Sequence, residues 1–137
     1  MLFRSGIRLR CKCSQIMAEQ GYDEPTGLAK LTPSYNLPCD YVLHTVGPIV
    51  SGELTDTHKD LLQSSYRSCL ELAVQNSINS IAFCCISTGV FGFPQKEAAE
   101  IAVNTVREFL KTHKIEVIFN VFRDDDHEIY KHLLGGN

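Results

Sequence analysis

The sequence predicts an α/β fold: a three-layer α/β/α sandwich with a mostly parallel or mixed sheet. Three apolar, largely β-branched runs, 41–46, 81–86 and 115–122, alternate with stretches whose apolar residues recur every three or four positions. Such alternation implies parallel strands joined by right-handed crossovers. Strands this apolar are expected to be buried on both faces, which requires helices on both sides of the sheet. The chain has 137 residues, 44% apolar and 21% charged, enough for one domain spanning 1–137 that folds without disulfides or metal.

Residues 5–20 read as a helix, with Leu9, Cys13, Ile16 and Met17 on one face and Gly21 as the stop. Pro25-Thr26-Gly27 is a turn, 28–32 a short strand and 33–38 a loop. The strand 41–46 closes at Gly47-Pro48. Thr57, with Asp60 three residues on, reads as the N-cap pair of a helix ending near Asn76. Leu62, Tyr66, Cys69, Leu70 and Ala73 form its inner face. After strand 81–86 and the segment 87–94 comes a helix over 95–112, with Ala98, Ala102, Val106, Phe109 and Leu110 inward. Strand 115–122 and a helix over 125–134 complete the chain, which shows no internal repeat.

Thirteen Lys and Arg against sixteen Asp and Glu leave a net charge of −3, so there is no bulk attraction to phosphate backbones and nucleic acid is not the default partner. The longest apolar runs are about a third of a membrane span, and the first residues are too few and too basic for a signal peptide. The expectation is a soluble, cytoplasmic protein with no membrane partner. The six cysteines do not form a framework: Cys84 and Cys85 are adjacent in a strand-like run, Cys69 lies in a helical stripe, and Cys11 and Cys13 point about 200° apart around a helix. Reduced thiols and no metal ligand set are expected.

In an open parallel sheet, ligands gather where strands end and loops enter helices. Ser87, Thr88, Gly89, Val90, Phe91, Gly92, Phe93 and Pro94 leave a buried strand and open a helix. Their glycines let backbone amides approach an anion, and the helix adds about half a positive charge at that end. A phosphate or diphosphate is the natural guest. No Gly-Lys-Ser/Thr follows and no Gly-x-Gly-x-x-Gly is present, which disfavours nucleoside triphosphate hydrolysis and dinucleotide redox chemistry. Phe91 and Phe93 either stack on a ribose or base or plug the core beneath the loop. Phe122, at the end of the next strand, is either a second aromatic wall or that strand's last core residue. Asp124 to Asp126 read as an ordinary acidic helix start.

Tyr35-Asn36-Leu37-Pro38, Tyr41-Val42-Leu43-His44-Thr45-Val46-Gly47-Pro48, Ser87-Thr88-Gly89-Val90-Phe91-Gly92-Phe93-Pro94 and Asn120-Val121-Phe122 resemble the macrodomains. Gln20-Gly21, Glu24-Pro25-Thr26-Gly27 and Ala29-Lys30 are similar to the zinc-containing macrodomains of microbial protein-ADP-ribose hydrolases. The resemblance runs over about 5–134. It implies that amides from Ser87 to Phe91 hold the diphosphate of ADP-ribose, that Phe93 lies near the distal ribose, and that Phe122 lies against the adenine. His44 is expected to be a packed core histidine and not a catalytic base.

In that family, an adenine-binding Asp, an Asn near the distal ribose, a second glycine-rich loop and the Cys and His zinc ligands precede the position of Ser5. Four residues precede it here. The expectation is therefore a shortened, carboxyl-terminal part of the family's domain, with catalytic residues unknown, no cofactor evident in this chain, and zinc confined to the full-length family. Its partners are ADP-ribose or an ADP-ribosylated protein. The function implied is removal of mono-ADP-ribose from protein side chains, impaired in this chain. The alternatives are a non-catalytic module binding ADP-ribose or a nucleotide diphosphate, and a role in assembly. An uncovered sheet edge predicts self-association.

Overall fold

The structure, a computed structural model, describes residues 7–21 and 25–135. Ser5 and Gly6 of the expected first helix, the side chain of Leu9, and Glu24 of the turn motif lie outside the described residues. The elements are α1 (Ile7–Gln20), β1 (Ala29–Pro33), β2 (Tyr41–Thr45), α2 (Asp56–Gln75), β3 (Ser80–Phe83), α3 (Gln95–Leu110), β4 (Glu116–Phe119) and α4 (Asp124–Gly135). The order matches the predicted alternation, and the class is α/β.

Strand pairing is mixed: two of the three apolar strands run parallel, and the third pairs with the short strand before it. β1 and β2 form an antiparallel pair, in register from Ala29 opposite Thr45 to Pro33 opposite Tyr41. The connection 34–40 is too short for a parallel crossover and suits a hairpin. β3 and β4 are parallel, from Ser80 opposite Glu116 to Phe83 opposite Phe119, with α3 as the crossover. Among the described residues the two pairs are separate two-stranded sheets.

β3 and β4 are also shorter than the apolar runs containing them, and they alternate in burial. Ile81 and Phe83 are buried while Ser80 and Ala82 are exposed; on β4, Glu116 and Ile118 face solvent. Burial on both faces is thus corrected to burial on one. Cys84, expected inside a buried strand, lies beyond the end of β3 and is exposed, and Cys85 is half-buried.

The inner face predicted for α2 is the observed one: Leu62, Tyr66, Cys69, Leu70 and Ala73 are all buried. They join Ile81, Phe83, Ile86, Phe93, Ala98, Ala102, Val106, Phe109, Ile115 and Tyr130 in one core. α2 packs against β1, β2 and α3, and α3 packs against α4. Leu110, expected inward at the end of α3, is exposed, because α3 stops there and the chain turns through Lys111 and Thr112.

The N-cap of α2 is Thr55, not Thr57. Its hydroxyl accepts the His58 amide at 3.4 Å, and His58 Nδ1 accepts the Thr55 amide at 3.1 Å. This is a capping box with histidine where Glu or Gln usually stands, which is why a search for a carboxylate three residues on selects Asp60.

Candidate functional site

The loop 87–94 begins with a residue in an uncommon conformation. Ser87 has φ +66°, the left-handed region that a non-glycine residue seldom enters. It turns the chain sharply away from the strand direction. Gly92, at φ +75°, turns it back towards α3. Between these two points the Gly92 amide donates to the Gly89 carbonyl at 3.1 Å and the Phe93 amide to the Ser87 carbonyl at 2.9 Å. The loop thus closes on itself. Among the described residues, no group accepts a hydrogen bond from the amides of Ser87, Thr88, Gly89, Val90 or Phe91. Five successive main-chain donors are left for a ligand or for solvent, a main-chain anion nest at the entry to a helix.

A second segment braces the loop. The Val50 amide donates to the Phe91 carbonyl at 2.7 Å, and a Cβ on Gly92 would lie 2.7 Å from the Val50 carbonyl oxygen. Gly47 approaches even more closely: a Cβ there would fall 2.1 Å from Ser87 Oγ and 2.5 Å from Ile86 Cγ2. Ser87 Oγ is buried and has no hydrogen-bond partner among the described residues. Thr88 Oγ1 donates to the Cys85 carbonyl at 3.2 Å, tying the turn to the strand exit. A Cβ at Gly89 would meet nothing within 4 Å, so the space in front of that residue is open.

The aromatic residues separate. Phe93 is 2% exposed and belongs to the core, so of the two readings open for its ring the structure takes the plug. Phe91 is half-buried. Phe122 is 99% exposed, which excludes the reading as the last core residue of its strand. Val90, at 102%, and Ile49, at 62%, are likewise bare. His44 is half-buried on β2, its Nε2 2.9 Å from Thr32 Oγ1 on the paired strand. Asp124, Asp125 and Asp126 open α4 as expected, and Asp126 is buried.

The loop carries no titratable side chain. Beneath it, burial pushes the Cys69 thiol up to about 12 and the Cys85 thiol up to about 11, and it holds the Tyr66 hydroxyl well above its ordinary value. These groups stay protonated at neutral pH. Among the described residues no cluster of three or more His, Cys, Asp or Glu is placed to hold a metal ion. Two surface concavities, about 420 Å³ beside Lys96, Glu128 and His132 and about 320 Å³ beside Arg8 and Tyr35, include no residue of the loop.

Gly47 and Val50 are the positions whose contact with the loop sequence reasoning missed. Gly47-Pro48 reads in the sequence as a strand stop and as part of the resembling motif, and neither reading links it to residues forty positions on.

A family profile for the Macro domain matches residues 4–102. The chain is 56% identical over 132 residues to a protein-ADP-ribose hydrolase of Treponema medium, covering 95% of this chain and 51% of that protein. It is 50% identical over 131 residues to a protein-ADP-ribose hydrolase of Staphylococcus aureus strain MSSA476, covering 93% and 49%. It therefore spans about half the length of these curated relatives. Among solved structures, an Oceanobacillus iheyensis macrodomain with ADP superposes with a TM-score of 0.89 at 35% identity, over 96% of this chain and 70% of that one. A Trypanosoma brucei macrodomain in complex with ADP-ribose gives 0.74 at 43% identity, over 81% and 47%. No described helix is long and apolar enough to cross a membrane. With the profile covering most of the chain and the fold shared, this chain belongs to the Macro domain family.

Proposed function

We propose that the chain is an ADP-ribose-recognising macrodomain of the protein-ADP-ribose hydrolase type, acting on mono-ADP-ribose attached to protein side chains. The observation that carries this reading is the run of five unpartnered amides from Ser87 to Phe91, braced by Gly92 and Phe93. Successive main-chain donors at a helix entry bind a diphosphate through charge-assisted hydrogen bonds, each stronger than a neutral one. Phe122 supplies an exposed ring for the adenine, and half-buried Phe91 is the loop ring open to a ribose. The relatives' names and the ADP-ribose complex of a neighbour support the ligand class.

A second reading, binding with little or no turnover, is favoured by the side chains present. The loop has no general acid or base, and no metal cluster occurs among the described residues. Calorimetric titration with ADP-ribose beside a de-ADP-ribosylation assay separates the two. Binding with turnover supports the hydrolase, binding alone supports the reader, and no binding at millimolar ligand rejects both.

Residues 1–137 act as one macrodomain-like unit, and the free cysteines support a reducing, cytoplasmic setting. The bare face of β3 and β4, with Ala82 exposed and Ile118 at 49%, supports self-association. Light scattering across a concentration series tests it, with a mass that rises with concentration and falls back in Ile118→Lys.

A further inference from the structure

We propose that Tyr66 is a positioning residue for the anion loop, holding the strand exit from beneath through its hydroxyl; this rests on the ADP-ribose reading. The ladder between β3 and β4 ends at Phe83, whose carbonyl accepts the Asn120 amide at 2.7 Å. From Cys84 onward the backbone has no strand neighbour among the described residues, yet it runs into the buried start of the loop. A buried main chain needs partners for its amides and carbonyls. Tyr66 supplies two of them. Its hydroxyl accepts the Ile86 amide at 3.4 Å and donates to the Cys84 carbonyl at 3.4 Å. The carbonyl between them, that of Cys85, is taken by Thr88 Oγ1.

The hydroxyl is itself fixed. Tyr66 is fully buried on α2, its ring meeting Phe83 edge-on at 5.0 Å. The Tyr130 ring packs on Phe119 at 4.9 Å. Tyr66 thus spans Cys84 and Ile86 immediately before Ser87 adopts its left-handed conformation. Protonated at neutral pH, the Tyr66 hydroxyl donates and accepts at once. This direct tie from α2 sets the height at which the amides of Ser87 to Phe91 are presented.

The test is Tyr66→Phe in the whole chain, titrated with ADP-ribose and with adenosine, which lacks the diphosphate, alongside a thermal melt. The expected result is a rise in Kd for ADP-ribose of about tenfold, equivalent to ~1.4 kcal/mol, with adenosine affinity unchanged. A merely structural defect would weaken both probes together. Equal loss for both, or no loss for either, overturns the assignment. A native chain that fails to bind ADP-ribose overturns the ligand reading and this inference with it. Should Tyr66→Phe fold poorly, hydrogen exchange on the native chain takes its place: the Ile86 amide, whose acceptor is the Tyr66 hydroxyl, is expected to be protected and to slow further when ADP-ribose is added, and an unprotected amide or one that ignores the ligand overturns the assignment.

Discussion

Gly47 and Ser87 stand so close that a single added carbon would not fit: a Cβ on Gly47 would lie 2.1 Å from the Ser87 hydroxyl oxygen. The end of β2 is pressed against the first residue of the loop. This contact joins the antiparallel pair to the parallel one, and it sets the position from which the left-handed turn at Ser87 departs.

Gly47→Ala should therefore displace Ser87 and cost about 1–3 kcal/mol or more, in line with overpacking of a filled interior. Urea denaturation measures the loss. ADP-ribose affinity should fall with it, because the displaced residue is the first donor of the nest.

Gly92→Ala has a different basis. The residue holds φ +75°, and its Cβ would sit 2.7 Å from the Val50 carbonyl oxygen. Strain in the left-handed region and the backbone clash each oppose the change, with an expected destabilisation of about 1–3 kcal/mol from strain alone. Thermal melting checks it, and hydrogen exchange at Val50 should accelerate as its bond to Phe91 weakens.

Gly89→Val separates binding from folding. Open space in front of Gly89 accepts the new side chain, so stability should change by no more than about 0.5 kcal/mol. The branched side chain would occupy the anion's approach, so calorimetry should record loss of ADP-ribose binding. Unchanged affinity would remove the loop from the site.

Phe122→Ala should leave stability within about 0.5 kcal/mol, because the ring is 99% exposed and packs on nothing in the core. If the ring carries the adenine, ADP-ribose affinity should drop by about 1–3 kcal/mol, the usual worth of base stacking on an aromatic side chain. Pyrophosphate affinity should stay the same.

Alkaline stability follows from the thiols beneath the loop. Burial raises Cys69 from 9.0 to about 12 and Cys85 from 9.0 to about 11 in the folded chain. The unfolded chain loses these protons first, so the stabilisation is complete below pH 9.0 and is lost as pH rises from there towards 12. Over that window Cys69 alone should lower stability by about 1.4 kcal/mol per pH unit. Urea midpoints at pH 8, 9 and 10 should be flat over the first interval and fall over the second. Cys69→Ala should lessen the fall.

The helices were legible because their information is local. The periodicity of Leu62, Tyr66, Cys69, Leu70 and Ala73 marks a buried face without reference to the rest of the chain. The loop was legible for the same reason, as a glycine-bearing exit from an apolar run. What was not legible depends on distant partners. Phe93 and Phe122 look alike in sequence, yet one is in the core and the other bare, because helices close over the first and nothing described closes over the second. The ends of β3 and β4 were overrun for a similar reason: 84–86 are as apolar as a strand, but their hydrogen bonds go to Tyr66 and Thr88. The hairpin of β1 and β2 was missed because a buried, β-branched run carries no mark of its neighbour's direction.

The central claim is that the main-chain donors of the loop, and not its side chains, receive a diphosphate. Amide nitrogen–proton correlation spectra recorded while ADP-ribose is added test it directly. The account predicts large downfield shifts at Ser87, Thr88, Gly89, Val90 and Phe91, with the internally bonded Gly92 and Phe93 amides moving far less. Saturable binding that leaves those five signals in place and moves resonances elsewhere would contradict it.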